Sequence, residues 1–270
     1  MARKMAACRP TNGHPTTERD AGALSCGSPR PGVGPHSKAM SSAHELSIVI
    51  PFFNEEENVE AVLAEVRRAQ PHAELIAVDD GSRDATWAKI QAVPGVVGVR
   101  LPRNMGQSAA MFRGIMAATG EIVGTMDGDG QTDPADYAAM VETLRRERVE
   151  VVIGYRATRE DTWSKRAASK FANAIRKAVL HDGARDTGCP MKIFRREARA
   201  ALVAFNGMHR FMPALFRGAG FTVHQMPVTH RQRAKGVSKY TNWGRAWRGL
   251  YDLIGVRWLL KRRLVFREGA

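Results

Sequence analysis

The sequence predicts an α/β fold: a doubly wound, mainly parallel sheet with helices on both faces, followed by a basic amphipathic C-terminal region. Three observations predict it. Short, continuously apolar, β-branched runs recur between residues 46 and 126. Segments with helical spacing separate them, as βαβ units require. Acidic or glycine-rich clusters follow three of the runs directly, and open α/β sheets bind ligands beyond the carboxyl ends of their strands.

Leu46–Phe52 (LSIVIPF) reads as a buried parallel strand, with Pro51 expected to end it. Glu55 to Arg68 carries Val59, Val62, Leu63 and Val66 at helical spacing. A second strand is expected at Leu75–Val78, a helix from about Asp84, a third strand at Val96–Leu101, a helix over Ser108–Ala118 and a fourth strand at Ile122–Met126. The second half is less regular. It offers a strand at Val151–Gly154, a basic amphipathic helix around Trp163–Val179, a strand near Thr222–Val228 and a helix beginning near Asn242. Met208, Phe211, Met212, Leu215 and Phe216 recur at helical spacing and read as core rather than lipid contact.

Three regions follow from this pattern. Residues 1–44 are rich in Gly, Pro, Ser and Thr without apolar periodicity, so they are expected to be a disordered tail. No apolar stretch of the length a secretory signal needs follows the basic start. Residues 45–245 form the expected α/β domain and 246–270 a basic amphipathic segment. No run approaches the roughly 18 apolar residues of a spanning helix. Cys8, Cys26 and Cys189 offer neither a disulfide framework nor a metal-ligand spacing, which points to a reducing, cytoplasmic setting.

The formal charge of +14 is unevenly spread. Residues 45–150 hold 10 basic and 18 acidic side chains, whereas residues 195–270 hold 16 basic and 3 acidic ones. The basic half implies an anionic partner: nucleic acid, a phosphorylated substrate or an anionic membrane surface. No helix-turn-helix, zinc-finger or RNA-recognition signature accompanies the charge, so nucleic acid is not the expected partner. A dehydrogenase is disfavoured because G-x-G-x-x-G is absent after the first strand.

Asp127-Gly128-Asp129 follows an apolar run directly, with Gln131 close behind. Two carboxylates at i and i+2 with small spacers can meet a hard divalent cation, and Mg²⁺ or Mn²⁺ prefers oxygen ligands completed by substrate phosphates. The same loop also suits helix-capping aspartates, to which Asp133 before Pro134 fits. Asp79-Asp80-Gly81-Ser82 with Asp84 likewise follows a strand. Its carboxylates could accept hydrogen bonds from a base or ribose, while Ser82 or Asp84 could cap the next helix.

Together with Ile48-Val49-Ile50-Pro51-Phe52-Phe53-Asn54-Glu55 and Asn104 with Gly106, these motifs resemble family 2 glycosyltransferases of the GT-A fold. Gly154-Tyr155-Arg156, Lys165-Arg166, Asp186-Thr187-Gly188-Cys189 and His230 through Tyr240 narrow the likeness to the polyprenyl-phosphate sugar transferases, the dolichol-phosphate mannosyltransferase type. The resemblance covers roughly residues 45–260 and implies roles position by position. Pro51, Phe53 and Glu55 would line the nucleotide base pocket, with Asp80 at base or ribose. Asp127, Asp129 and Gln131 would hold Mg²⁺ or Mn²⁺ on the donor diphosphate, Asp127 also belonging to the donor site. Arg156, Arg166 and Ser169 would meet the acceptor phosphate; Arg231, Arg233, Ser238 and Lys239 would lie on a loop closing over the phosphates, with Gly236 as its flexible point. Asp129, Arg156 and Arg166 would carry the catalysis. Gly128 departs from the Ala common in the family, and Cys189-Pro190 from a frequent Ser-Gly.

The implied reaction moves a sugar from a nucleotide-sugar donor to polyprenyl phosphate with inversion. The attacking phosphate is already ionised at pH 7, so no general base is required. A lipid acceptor implies a peripheral position at the cytoplasmic face of an anionic membrane and leaves room for a separate membrane-protein partner. The C-terminal run mixes Leu250, Leu253, Ile254, Val256, Trp258 and Leu259 with Arg248, Arg257, Lys261 and Arg262. It can lie in that interface or pack on the domain with a solvated basic end. The rival activity is a family 2 transferase acting on a polysaccharide or protein hydroxyl, which would need a base.

Overall fold

The computed structural model describes residues 44–156, 176, 178–231 and 242–264, all within the unit Ser41–Ala270. Its elements run β1 (Leu46–Phe52), α1 (Val59–Ala69), β2 (Glu74–Asp79), α2 (Thr86–Ala92), β3 (Val96–Arg100), α3 (Gln107–Ala117), β4 (Ile122–Thr125) and α4 (Asp136–Arg146). They continue with β5 (Val151–Arg156), β6 (Lys192–Arg195), a 3-10 turn (Arg196–Ala201), α5 (Met208–Gly218), β7 (Val223–Val228) and α6 (Asn242–Arg262). The expected tail and most of the expected helix around Trp163–Val179 lie outside the described residues.

The strands form one sheet in the order β3-β2-β1-β4-β6-β5-β7. Pairings β1·β2, β1·β4, β2·β3 and β5·β7 are parallel, whereas β6 runs antiparallel to both neighbours, β4 and β5. Alternation sends Ile48, Ile50 and Phe52 to one face, against Val62, Leu63 and Val66 of α1 and Tyr137 and Met140 of α4. Val49, Ile76 and Val78 face the other way, onto Met111 and Ile115 of α3 and Met212, Leu215 and Phe216 of α5. The sheet is therefore covered on both faces, as a doubly wound fold requires.

Pro51 does not end β1, which runs through Phe52 with Pro51 opposite Val78. Val49 directs its carbonyl to β4 and Phe52 directs its carbonyl to β2, so position 51 faces β4. The β1·β4 ladder stops at Val49↔Thr125, and proline's missing N–H falls where no acceptor waits.

One face of α6 packs on the domain. Leu253 and Val256 are buried with Leu180, Phe211 and Ala214, and Arg257 Nη1 donates to the Val179 carbonyl. Its other face leaves Tyr251, Ile254 and Trp258 80%, 64% and 64% exposed. Among the described residues no helix is long and apolar enough to cross a membrane.

Candidate functional site

The carboxyl ends of β1, β2, β4 and β5 share one edge of the sheet. Because β6 is antiparallel, its first residue joins them there: Lys192 pairs with both Thr125 of β4 and Ile153 of β5. One short reversed strand thus brings the two halves of the chain to a common edge.

At the β1–β2 end, side chains lace the loops together. Asn54 adopts the left-handed region (φ 51°), its N–H donates to Ser82 Oγ at 2.9 Å, and its Oδ1 accepts from Arg83 N at 2.9 Å. Glu55 N donates to Thr86 Oγ1 at 2.9 Å. Asp80 accepts from Met105 N at 2.7 Å and Gly106 N at 2.9 Å. Burial pushes its carboxyl above the ordinary range, and those two N–H groups pull it back. Gly81 (φ 69°) allows the Asp80 and Arg103 loops to meet: a Cβ there would lie 2.3 Å from the Arg103 carbonyl carbon. Pro51, Phe53 and Glu55 are half-buried beside these loops, with Glu55 Oε2 accepting from Asn58 Nδ2 at 2.6 Å.

At the β4 end stands the carboxylate loop. Asp127 Oδ1 accepts from Gln107 Nε2 at 2.7 Å, and Asp129 Oδ1 accepts from Gln131 N at 3.2 Å. Burial, then the like charge of Asp129, pushes the Asp127 carboxyl up to about 6. Two crowded carboxylates beside an amide form an oxygen-donor set that a hard divalent cation fits, because it would relieve this mutual repulsion. No three His, Cys, Asp or Glu side chains among the described residues could hold an ion together. Gly128 lies against the sheet: a Cβ would come within 2.5 Å of the Phe52 ring.

Beyond β6, Arg156 forks onto Asp186, with Nε to Oδ2 at 2.7 Å and Nη2 to Oδ1 at 3.0 Å. Arg231 N donates to the Gln131 carbonyl at 2.7 Å, Thr132 bridges His230, and the Arg231 guanidinium pairs with Glu65 and Asp133. The start of the His230–Tyr240 segment is thereby anchored on the carboxylate loop. Arg166, Ser169, Arg233 and Lys239, with Lys165, Gly236 and Ser238, lie outside the described residues.

The sequence reading missed Lys192, Gln107, His209 and Arg210, which together with Asp127 line a cavity of about 170 Å³. Its only visible signal was a lysine inside the apolar run Cys189-Pro190-Met191-Lys192-Ile193-Phe194. Lys192 is 2% exposed, and burial pushes its ammonium below the ordinary range. Cys189 is buried and its thiol is pushed up by burial, in keeping with a small core side chain.

Residues 47–202 match the family described as Glycosyl transferase family 2. The chain is 38% identical over 229 residues to the dodecaprenyl-phosphate galacturonate synthase of Rhizobium johnstonii, covering 80% of this chain and 68% of that protein. It is 35% identical over 206 residues to the undecaprenyl-phosphate 4-deoxy-4-formamido-L-arabinose transferase of Aeromonas hydrophila, covering 72% of this chain and 62% of the relative. In structure it resembles glucosyl-3-phosphoglycerate synthase of Mycobacterium tuberculosis, crystallised with Mn²⁺, uridine diphosphate and phosphoglyceric acid. That likeness has a TM-score of 0.62 at 20% identity over 84% of this chain and 81% of the other. At such identity it establishes the fold, the GT-A arrangement of strands and helices.

Proposed function

From the premise that the chain belongs to glycosyl transferase family 2, we propose that it is a metal-dependent, inverting glycosyltransferase moving a sugar from a nucleotide-sugar donor to polyprenyl phosphate. The observation that carries this reading is an adjacency. An acidic oxygen-donor loop after β4 and a forked arginine at the end of β5 stand on one sheet edge, separated only by the first residue of β6. The relatives named for dodecaprenyl and undecaprenyl phosphate supply the acceptor class. Their names cover an acidic and a neutral sugar, and so leave the sugar open.

In this reading Pro51, Phe53 and Glu55 line the base pocket, and Asp80 shapes the 104–106 loop beside the ribose. Asp127, Asp129 and Gln131 would hold Mg²⁺ or Mn²⁺, which when bound neutralises charge on the departing diphosphate. Arg156 is oriented by Asp186 through Nε and Nη2, and among the described residues its Nη1 makes no hydrogen bond, so it can meet a phosphate oxygen. Arg166 and Ser169 complete the acceptor grip, and Arg233 and Lys239 close over the phosphates from the loop that His230 and Arg231 anchor. An ionised phosphate oxygen attacks the anomeric carbon as the nucleoside diphosphate leaves, so the anomeric configuration inverts. Holding both anions in line supplies proximity as well as charge. The exposed stripe of Tyr251, Ile254 and Trp258, ending in Lys261 and Arg262, lies on the anionic cytoplasmic face of a membrane.

The test is sugar transfer to polyprenyl phosphate in lipid vesicles, with UDP- and GDP-sugars, with and without EDTA. Transfer that EDTA abolishes and Mn²⁺ restores is expected. Arg156→Ala should lower it about ten- to a hundredfold, the scale of one charge-assisted bond, while donor affinity moves much less. Transfer to a hydroxyl acceptor instead, unaffected by Arg156→Ala, would overturn the reading.

A further inference from the structure

The arginine at the end of β5 is held by a carboxylate on irregular backbone, and a second buried ion pair holds that backbone. Asp186 grips Arg156 through both Nε and Nη2, whereas residues 181–187 belong to no helix or strand. A carboxylate orients a guanidinium only as firmly as its own backbone is fixed. Misplacing a substrate-positioning group by about 1 Å can cost on the order of a hundredfold in rate. Arg176 supplies the fixing. It is 8% exposed, and Asp182 is 2% exposed. Its Nη1 pairs with Asp182 Oδ2, and its Nη2 donates to the Ala184 carbonyl at 2.7 Å. Asp182 Oδ1 in turn accepts from Ala184 N at 3.2 Å, so one ion pair engages both backbone groups of Ala184. From β7, Gln225 accepts from Arg185 N at 2.7 Å and donates to the Gly183 carbonyl at 3.1 Å. Arg185 Nη1 reaches Tyr155 Oη at 3.1 Å. Residues 182–185 are thus clamped, and Asp186 follows directly.

A buried ion pair is an expensive way to hold a loop. Desolvating both charges offsets much of their attraction, and apolar residues of similar volume are often as stabilising. What apolar packing lacks is direction: two donors on one rigid fork fix a carboxylate and a carbonyl at once. We propose that Arg176 is a positioning residue for sugar transfer. It acts through Asp182 and the 182–186 backbone on Asp186, and so on the aim of Arg156. The inference rests on the reading of Arg156 as a grip on the acceptor phosphate, and adds the residue that sets its geometry.

A mutant cycle on the full chain tests it, with wild type, Arg156→Ala, the paired variant Arg176→Met with Asp182→Leu, and all three substitutions combined. Three quantities are read: kcat/KM for polyprenyl phosphate in vesicles, affinity for UDP- and GDP-sugars with Mn²⁺ by calorimetry, and thermal melting. The paired variant removes both charges together and leaves neither buried alone, so it should melt within about 5 °C of wild type. Its kcat/KM should nevertheless fall about three- to thirtyfold. The fall should not exceed that of Arg156→Ala, since a support contributes no more than the contact it supports. In the Arg156→Ala background the same pair of changes should alter kcat/KM less than about twofold, and donor affinity should hold within about twofold throughout. Arg176→Lys keeps the charge without the fork and should fall between wild type and the paired variant. An equal loss in both backgrounds marks a merely structural role; it overturns the inference and leaves the glycosyltransferase reading intact. Wild-type transfer by the paired variant overturns it as well. If the paired variant does not fold, the cycle is run with Arg176→Lys, and additive losses there overturn the inference. No transfer by wild type, or full transfer by Arg156→Ala, overturns the underlying reading first and the inference with it.

Discussion

Replacing Asp127 by Asn should make the metal-free protein more stable while disabling it. The Asp127 carboxyl is half-buried beside Asp129, and its folded value is raised from 3.8 to about 6. Each tenfold change in acidity corresponds to about 1.4 kcal/mol. The displacement of roughly two pH units therefore caps the penalty near 3 kcal/mol, and water at the half-exposed carboxyl reduces it to about 1–3 kcal/mol. The sign follows from the direction. A carboxyl raised in the folded state costs nothing below about pH 3.8, where both states are protonated; the cost grows with pH and is complete above about 6. Asn keeps an acceptor for Gln107 Nε2 and carries no charge. At pH 7.5 in EDTA the variant should melt higher, by about 2–4 °C for each kcal/mol, whereas at pH 4 the two proteins should nearly coincide. Adding Mn²⁺ with nucleoside diphosphate should reverse the order, raising the wild type and barely moving Asp127→Asn. Thermal melting at both pH values, with and without those ligands, checks every step. A variant no more stable than wild type at pH 7.5 would refute the crowded-carboxylate argument.

Two other predictions rest on separate parts of the molecule. Gly128→Ala would push a methyl to 2.5 Å from the Phe52 ring and 2.9 Å from the Pro51 carbonyl oxygen; such overpacking should cost about 1–3 kcal/mol, and an unchanged melting temperature would count against the geometry. Replacing both Ile254 and Trp258 by Asp should leave folding stability within about 0.5 kcal/mol, because both are mostly exposed. Cosedimentation with anionic vesicles should nevertheless fall severalfold, and undiminished binding would remove α6 from the membrane contact.

Much of the first half was legible because its signals are local. Val59, Val62, Leu63 and Val66 mark the buried stripe of α1 from their spacing alone, and all four are buried. The expected helix start at Glu55 fell four residues early: residues 56–58 form a turn closed by Asn58 N and Val59 N on the Glu55 carbonyl, and α1 begins at Val59. The acidic clusters after the second and fourth strands were visible for the same local reason, each following an apolar run. What the DDGS cluster does there was not: Ser82 Oγ accepts from Asn54 N and the Asp80 carboxylate accepts from Met105 N and Gly106 N, which ties the cluster to two other loops.

By itself, the sequence determined the alternation of strands and helices, the burial of both sheet faces and the edge on which the acidic loops gather, since all three follow from periods of two and 3.6 residues within one segment. Tertiary structure alone decided the reversal of β6, a four-residue strand that opens on a charged side chain and so carries no alternating pattern to read. It also decided that Lys192 is buried beside Asp127 and Asp186 while Arg156, 36 residues earlier, holds Asp186 directly. Whether a charge is solvated, paired or waiting for a ligand depends on which distant segments surround it. That is a property of the packed sheet edge, not of neighbouring residues in the chain.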